Sequence, residues 1–216
     1  MLAENYRIIQ QLGAKRPRRF GEIYLAESIH TSQKVILKVV NKLKCDSIAV
    51  ERLRNESSFS FTSEGLPSTL DFSEDASIAY LVRESFDGET IDNYWNKLRR
   101  KEQLPFLILF LKKLDDLLSE LNTQKIVHCD IKPGNILVSG SSNEIKISLI
   151  DFGLALKTDA LEERKMLFPL GYAAPELVLN HLEIVDHRTD YFAVGVLIWR
   201  LFAGKMPLIH PNPSVF

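Results

Sequence analysis

The chain has 216 residues, of which 45% are hydrophobic and 25% charged, and its formal net charge is −1. This composition is typical of a globular chain and gives no reason to expect nucleic acid or a charged membrane surface as a partner. Cys45 and Cys129 are too few for a disulfide framework. The longest apolar runs are too short for a membrane segment, and the N-terminal sequence lacks a signal peptide, so we expect a cytoplasmic protein.

The first 85 residues are predicted to form short strands. Four segments are rich in β-branched and aromatic residues and are separated by turns: YRIIQQL, EIYLAES, KVILKVV and IAYLVRE. One helix is expected among them, roughly from Asp46 to Phe61. The rest of the chain is predicted to be mostly helical, so that a strand-rich lobe is followed by a helical lobe with a cleft between them.

Three segments define the predicted second lobe. YFAVGVLIWRLFAG is apolar on nearly all sides, which predicts a buried helix, and NILVSGSSNEIKISLI is typical of a hairpin. A third segment has leucines at spacings of three and four, which predicts an amphipathic helix whose apolar face lies in the core. A partner-binding zipper is less favoured because the repeat is short. The leucines are Leu104, Leu107, Leu111, Leu114, Leu118 and Leu121.

The segment IVHCDIKPGNILV, residues 126–138, places polar side chains between two apolar ends. His128, Asp130, Lys132 and Asn135 surround a Pro-Gly turn. Each polar group would lower stability if it were buried without a partner. The pattern therefore predicts a rigidly held loop whose side chains point at a ligand.

Two further segments carry charges that fit a nucleotide. In LIDFGLA, Asp151 follows a strand, and with Asn135 it offers the oxygen ligands that Mg²⁺ prefers. Lys38 lies within the apolar strand VILKVV and needs an anionic partner. Glu56 on the predicted helix is favoured over Glu51 by its spacing. Together these residues describe a clamp for the phosphates of a nucleotide.

With these residues in place, the chain resembles the eukaryotic-type (Hanks-type) serine/threonine protein kinase family over nearly its whole length. HCDIKPGN resembles the catalytic loop, DFG the metal-binding turn, YAAPE the end of the activation segment, and VILK the strand of the phosphate-contacting lysine. RTDYFAVGVLIWRLFAGKMP resembles the buried helix whose Asp190 would brace the catalytic loop. AYLVRESFDGETI resembles the hinge between lobes. With Lys132 two residues after Asp130, the loop resembles that of the serine/threonine branch of the family and not that of the tyrosine branch.

The resemblance implies an α+β, two-lobed protein-kinase-like fold. Residues 1–85 would form the N-lobe, an antiparallel sheet plus one helix. Residues 86–216 would form a helical C-lobe with the catalytic and activation segments, and it would lack the last helices of the family. In the family an arginine from those helices pairs with Glu176. We therefore expect Glu176 to be exposed, protonated or paired with Arg188 or Lys205.

The resemblance also implies the roles of the site residues. Asp130 would accept or orient the proton of the substrate hydroxyl, and Lys132 would steady the γ-phosphate. Asn135 and Asp151 would hold Mg²⁺.

The α- and β-phosphates of ATP would be held by Lys38 paired with Glu56. Other contacts with ATP would come from the following residues: Gly13, Gly21, Ile23, Glu84, Phe86 and Leu137.

The chain also departs from the family pattern. The glycine-rich loop, LGAKRPRRFGEIYLA, lacks the middle glycine and is longer than usual. Ile36 replaces a small alanine that packs on adenine. Arg83 replaces an apolar residue and is expected to turn outward or to plug the site. Cys129 stands where many kinases carry arginine, and Pro169 where they carry threonine.

The best interpretation is an ATP-dependent kinase acting on serine or threonine hydroxyls of a protein substrate. One alternative is a pseudokinase that serves as a nucleotide-binding or scaffold module, which the departures favour and the intact charged residues oppose. Another is a small-molecule kinase of the aminoglycoside type. These enzymes use aspartate and asparagine side chains in the same way but usually lack the DFG and APE motifs.

Overall fold

The computed structural model of the protein describes residues 5–13, 21–141, 144–159, 168 and 171–207. The chain divides into two compact units, Met1–Phe86 and Asp87–Phe216. The first is built on a β-sheet and the second mainly on helices.

The first unit contains a five-stranded antiparallel sheet with the strand order β1-β2-β3-β5-β4. The strands are β1 (Tyr6–Leu12), β2 (Glu22–Ser28), β3 (Lys34–Asn41), β4 (Thr69–Glu74) and β5 (Ile78–Glu84). Four of them were predicted. The β4 segment, TLDFSE, was missed because it has only two large apolar residues, Leu70 and Phe72, among polar neighbours.

Edge strand β1 contains an irregularity. Ile8 pairs with Ala26 and Gln10 with Leu25, so one extra residue, Ile9, is inserted opposite β2. Such a bulge bends the strand and disturbs the alternation of its side chains. Both Ile8 and Ile9 are about half exposed as a result.

Helix α1 (Ser47–Ser57) covers one face of this sheet. It buries Ala49, Val50 and Leu53 against apolar residues of β3 and β5, and it also buries Glu56. The helix ends four residues before the predicted end at Phe61. The following segment leaves the helix, and Phe59 and Phe61 are themselves buried.

The second unit is organised around helix α3 (Arg100–Thr123), which follows the short helix α2 (Ile91–Lys97). Leu107, Leu114, Leu118 and Leu121 are buried as predicted. Leu104 was wrongly placed in the core, since its side chain is 59% exposed. The buried face of the helix also includes residues that were not predicted: Phe106, Phe110 and Leu117.

Short strands shape the polar loop of the second unit. Strand β6 (Glu89–Thr90) pairs with β8 (Ile136–Ser141), which forms the predicted hairpin with β9 (Glu144–Leu149). Strands β7 (Ile126–Val127) and β10 (Leu156–Lys157) form a separate pair. The polar loop therefore begins at one pair of strands and ends at the hairpin.

The chain ends its described part with a one-turn helix, α4 (Pro175–Val178), and the longer α5 (His187–Ala203). The prediction of a buried helix holds for only one side of α5. Its inner side is buried, whereas Trp199 and Phe202 are 51% and 52% exposed. Within the described residues, we find no helix with the length and apolar character needed to span a bilayer.

Candidate functional site

Lys38 and Glu56 form an ion pair in the first unit. Lys38 lies in β3, and its Nζ is 2.5 Å from Oε2 of Glu56 on α1. Both side chains are largely removed from solvent. A buried ion pair is weak evidence for stability, because desolvation offsets much of its attraction. Glu51, the rival partner, lies on the exposed side of the helix.

Arg83 was expected to turn outward or to plug the site, and the structure shows that it does not turn outward. Its side chain is buried, with 2% of the residue exposed. The guanidinium donates to the main-chain oxygens of Glu56, Phe59 and Pro67 and to the Thr69 hydroxyl. The residue therefore binds the segment that follows α1. Like Lys38, Arg83 is a charge inside an apolar strand, and this pattern in the sequence already indicates buried partners.

Gly21 is required by a close approach between strands. Its φ is +84°, and an added Cβ would lie 2.7 Å from the Val39 carbonyl oxygen of β3. Gly13 also has a positive φ of 61°. The residues between these glycines, 14–20, lie outside the described part of the chain. Ile23 is half-buried and pairs with Lys38 across the strands, so it lies beside the ion pair.

The end of the first unit carries the other predicted nucleotide contacts. Glu84 Oε2 accepts hydrogen bonds from the Ser68 N–H at 3.3 Å and the Ser68 hydroxyl at 3.2 Å. Phe86 is half-buried. Ile36 pairs with Arg83 across β3 and β5 and is also half-buried.

Asp190 of α5 braces the polar loop of the second unit. Its Oδ2 accepts the His128 N–H at 2.8 Å, and its Oδ1 accepts the Cys129 N–H at 2.9 Å. Burial raises the pKa of the Asp190 carboxyl, although the hydrogen bonds from the two N–H groups act in the opposite direction. His128 Nδ1 accepts the N–H of Asp130 at 3.2 Å, so the loop is fixed on both sides of Cys129.

Asp130 is held by the two other polar residues of the loop. Lys132 Nζ lies 2.6 Å from Asp130 Oδ2. The amide nitrogen of Asn135 donates to the same Oδ2 and to the main-chain oxygen of Asp130, both at 2.8 Å. Asp130 and Asn135 are buried and Lys132 is partly exposed. The structure thus brings these three predicted residues into direct contact.

The hairpin places the backbone of Asn135 beside the start of the DFG turn. The Ile150 N–H donates to the Asn135 carbonyl at 2.9 Å, and Asp151 follows directly. Asp151 has a φ of +69°, in the left-handed region, where a non-glycine residue is uncommon. Phe152 is buried with its ring centroid 4.6 Å from that of His128. Leu137, a predicted ATP contact, is half-buried on β8.

Cys129 is a buried structural residue. Burial raises the pKa of its thiol well above the ordinary value, and the carboxylates of Asp190 and Asp130 add to the effect. The thiol is therefore protonated at neutral pH and a poor nucleophile. It packs in an apolar cluster with Val127 and Leu156. Pro169, the other departure near this loop, lies outside the described residues.

Glu176 has a partner that was not among those predicted. The carboxylate is half-buried, and its Oε1 accepts a hydrogen bond from the Thr189 hydroxyl at 2.6 Å. Arg188, one of the expected cations, binds Asp186 instead. Thr189 precedes Asp190, so one turn of α5 binds both α4 and the polar loop.

Comparison with known proteins identifies relatives along the whole chain. It is 29% identical over 226 residues to serine/threonine-protein kinase pkn2 of Myxococcus xanthus, and the alignment covers 100% of this chain and 26% of that protein. It is 29% identical over 194 residues to Aurora kinase C of Mus musculus, which covers 88% and 67%. It is 27% identical over 215 residues to PrkC of Bacillus subtilis, which covers 95% and 31%. The chain thus spans less than a third of these two bacterial relatives.

The family profile described as the protein kinase domain matches residues 6–215. The α+β arrangement agrees with this match, since a five-stranded antiparallel sheet precedes a mainly helical unit, and the predicted protein-kinase-like fold is confirmed. The chain belongs to the protein kinase domain family, and its relatives are serine/threonine kinases.

Proposed function

We propose that the chain transfers the γ-phosphoryl group of ATP to serine or threonine hydroxyls of a protein substrate. The observation that carries this proposal is the arrangement around Asp130. Both Lys132 and Asn135 donate to its Oδ2, so the carboxylate is held in one orientation. The two bacterial relatives named above are called serine/threonine-protein kinases, which supports the same reaction.

Asp130 would act on the acceptor hydroxyl. Because its Oδ2 is engaged by two donors, we assign Oδ1 to the hydroxyl proton. A fixed carboxylate orients the nucleophile, and phosphoryl transfer depends mostly on such positioning and on neutralisation of charge. Lys132, beside Asp130 and partly exposed, would neutralise charge on the γ-phosphate.

Asn135 and Asp151 would hold Mg²⁺. The Asn135 amide nitrogen is turned toward Asp130, which leaves its side-chain oxygen as the atom suited to a cation. A carboxylate and an amide oxygen match the hard oxygen ligands that Mg²⁺ prefers. When bound, the ion would neutralise phosphate charge.

The first unit would bind the α- and β-phosphates through Lys38. Glu56 fixes the ammonium group from one side, so the lysine is oriented before the nucleotide arrives. Preorganised charges of this kind avoid the cost of reorganisation during the reaction. We assign further contacts with ATP to Ile23, Glu84 and Leu137.

Because Cys45 and Cys129 form no disulfide with each other, we also propose a reducing, cytoplasmic location.

Nucleotide binding provides the first test. ATP with Mg²⁺ at 100 times its Kd should stabilise the chain by about 2.7 kcal/mol, measured as a thermal shift. Asp151→Asn should reduce the part of the shift that depends on Mg²⁺. Asp116→Asn, at an exposed position on α3, is the control and should behave as the wild type. No shift with millimolar ATP in the wild type would contradict the proposal.

Transfer itself provides the second test. Asp130→Asn should lower phosphate incorporation into casein or a peptide library by about 10²- to 10⁴-fold, while the ATP-induced thermal shift remains. Wild-type protein that binds ATP but transfers no phosphate would favour the pseudokinase alternative. Transfer to kanamycin without transfer to proteins would favour the small-molecule alternative.

A further inference from the structure

Arg83 of β5 is a buried cation whose contacts converge on the end of α1. Its Nη1 lies 2.8 Å from the Glu56 carbonyl oxygen, 2.7 Å from that of Phe59 and 3.0 Å from the Thr69 hydroxyl. Its Nη2 lies 2.7 Å from the carbonyl oxygen of Pro67. One guanidinium group therefore donates hydrogen bonds to four acceptors.

These contacts cap the helix from a neighbouring strand. The last carbonyl groups of a helix lack partners within it and carry partial negative charge, so a cation placed there is favourable. Helix α1 ends at Ser57, next to the Glu56 carbonyl that Arg83 binds. The planar, multi-donor guanidinium suits several carbonyl groups at once, which a lysine ammonium cannot match in reach or geometry.

The residue capped in this way is the partner of Lys38. Arg83 pairs with Ile36 across the strands, and Lys38 lies two residues further along β3, so both cations emerge on the α1 face of the sheet. Lys38 binds the Glu56 side chain at 2.5 Å, and Arg83 binds its main chain at 2.8 Å. One glutamate is thus fixed at both ends by neighbouring strands.

We propose that Arg83 is a positioning residue that holds Glu56 in contact with Lys38. By binding the backbone at Glu56 and Phe59, it fixes where α1 ends and hence where the Glu56 carboxylate lies. The consequence for catalysis rests on the proposed function, in which Lys38 contacts the phosphates. The consequence for the Lys38–Glu56 contact does not depend on nucleotide binding.

The first experiment measures how fast Lys38 of the unliganded 216-residue chain is acylated by an amine-reactive ester, using peptide mass spectrometry. Acylation needs an amine lone pair, which an ammonium group held by a carboxylate does not offer. Glu56→Gln sets the upper limit. Arg83→Met should raise the Lys38 rate about fivefold, equivalent to a coupling of about 1 kcal/mol. Exposed Lys34 on the same strand serves as the internal reference.

A double variant separates positioning from general stability. If Arg83 acts through Glu56, Arg83→Met should add nothing to the Lys38 rate of Glu56→Gln. Glu51→Gln changes an exposed residue of the same helix and should leave the rate at the wild-type value. A folded Arg83→Met protein with wild-type Lys38 reactivity overturns the proposal, and so does an additive effect in the double variant.

Arg83→Lys covers the case in which Arg83→Met does not fold, as judged by circular dichroism. Its single ammonium cannot bridge the carbonyl groups of Glu56, Phe59 and Pro67, so Lys38 acylation should lie between those of the wild type and Glu56→Gln. Equality with the wild type in a folded Arg83→Lys protein overturns the proposal.

Nucleotide affinity is the second readout. Arg83→Met should raise the Kd for ATP with Mg²⁺ about fivefold and should add nothing in the Glu56→Gln background. If the wild type binds no nucleotide, the proposed function fails, while the acylation result still decides the role of Arg83. If the wild type binds ATP and Arg83→Met leaves both the Kd and the acylation rate unchanged, the positioning role fails alone.

Discussion

Asp190 shows how one carboxylate determines the shape of the polar loop. Its two oxygens accept the consecutive N–H groups of His128 and Cys129. Cys129 adopts a φ of +61°, which is unfavourable for a residue with a Cβ. The two hydrogen bonds offset that strain, and Asp130 follows directly. The position of Asp130 is therefore fixed by a residue distant in sequence.

We expect Asp190→Asn to destabilise the chain and to impair transfer. The amide has one acceptor, so its NH₂ group would face one of the two buried N–H donors. A buried donor without a partner costs about 1–3 kcal/mol, which should appear in urea unfolding. Transfer should fall further than stability explains, because Asp130 would move. Asp116→Asn, at an exposed position on α3, is the control. Wild-type stability of Asp190→Asn would contradict the bracing role.

At the scale of elements, Glu74 joins α1 to the far edge of the sheet. It lies at the end of β4 and binds Arg54 of α1 as well as Lys42 after β3, the latter at 2.6 Å. Hydrogen bonds from Arg54 and then from Lys42 lower the pKa of its carboxyl to about 2. The helix is thus fastened to the sheet by charges as well as by its apolar face.

This arrangement predicts a loss of stability in acid. Above pH 4.5, the ordinary pKa, Glu74 is ionised in the folded and unfolded chain alike, and its stabilising effect is complete. As the pH falls from there toward 2, the unfolded chain takes up the proton first, so stability decreases. The difference in thermal midpoint between the wild type and Glu74→Gln should therefore shrink over this range.

Salt and a second variant test the same point. The difference should also shrink in 0.5 M NaCl. Glu51→Gln, on the exposed side of α1, should give a smaller difference. A difference between the wild type and Glu74→Gln that stays constant with pH would show that the ion pairs do not contribute.

Elements could be predicted from sequence where local pattern dominates, and the polar loop where its motif is contiguous. Four strands, the hairpin and α3 were of this kind. The end of α1 was not, because Arg83 caps it from another strand. Leu104 was misplaced because periodicity does not reveal where the neighbours of a helix end. The partner of Glu176 was missed since Thr189 has no charge to mark it as one.

On the scale of the whole molecule, each unit has its own apolar core. In the first, α1 and one face of the sheet form a cluster around Val50 and Leu81, and the opposite face forms another around Leu37 and Val82. A cluster in the second unit includes Val127 and Leu177. Apolar side chains also remain at the surface, and those of Trp199 and Phe202 share one side of α5.

This surface predicts self-association. Adjacent exposed apolar side chains promote it, whereas single ones are normal on soluble proteins. The sedimentation coefficient of the wild type should rise with protein concentration, and Trp199→Gln should reduce that rise. Leu43→Gln removes a more exposed apolar residue from the first unit and should have no effect. An equal reduction in both variants would show that the α5 surface has no special role.

We expect the bulge at Ile9 to limit fibre growth. Strand β1 lies at the edge of its sheet and exposes Ile8 and Ile9. An exposed edge of this kind is a template with which strands of other chains can pair. The extra residue interrupts the even spacing of outward N–H and C=O groups that such stacking requires. A chain lacking Ile9 would regain an even edge, and concentrated solutions of it would form amyloid-like aggregates more readily on storage.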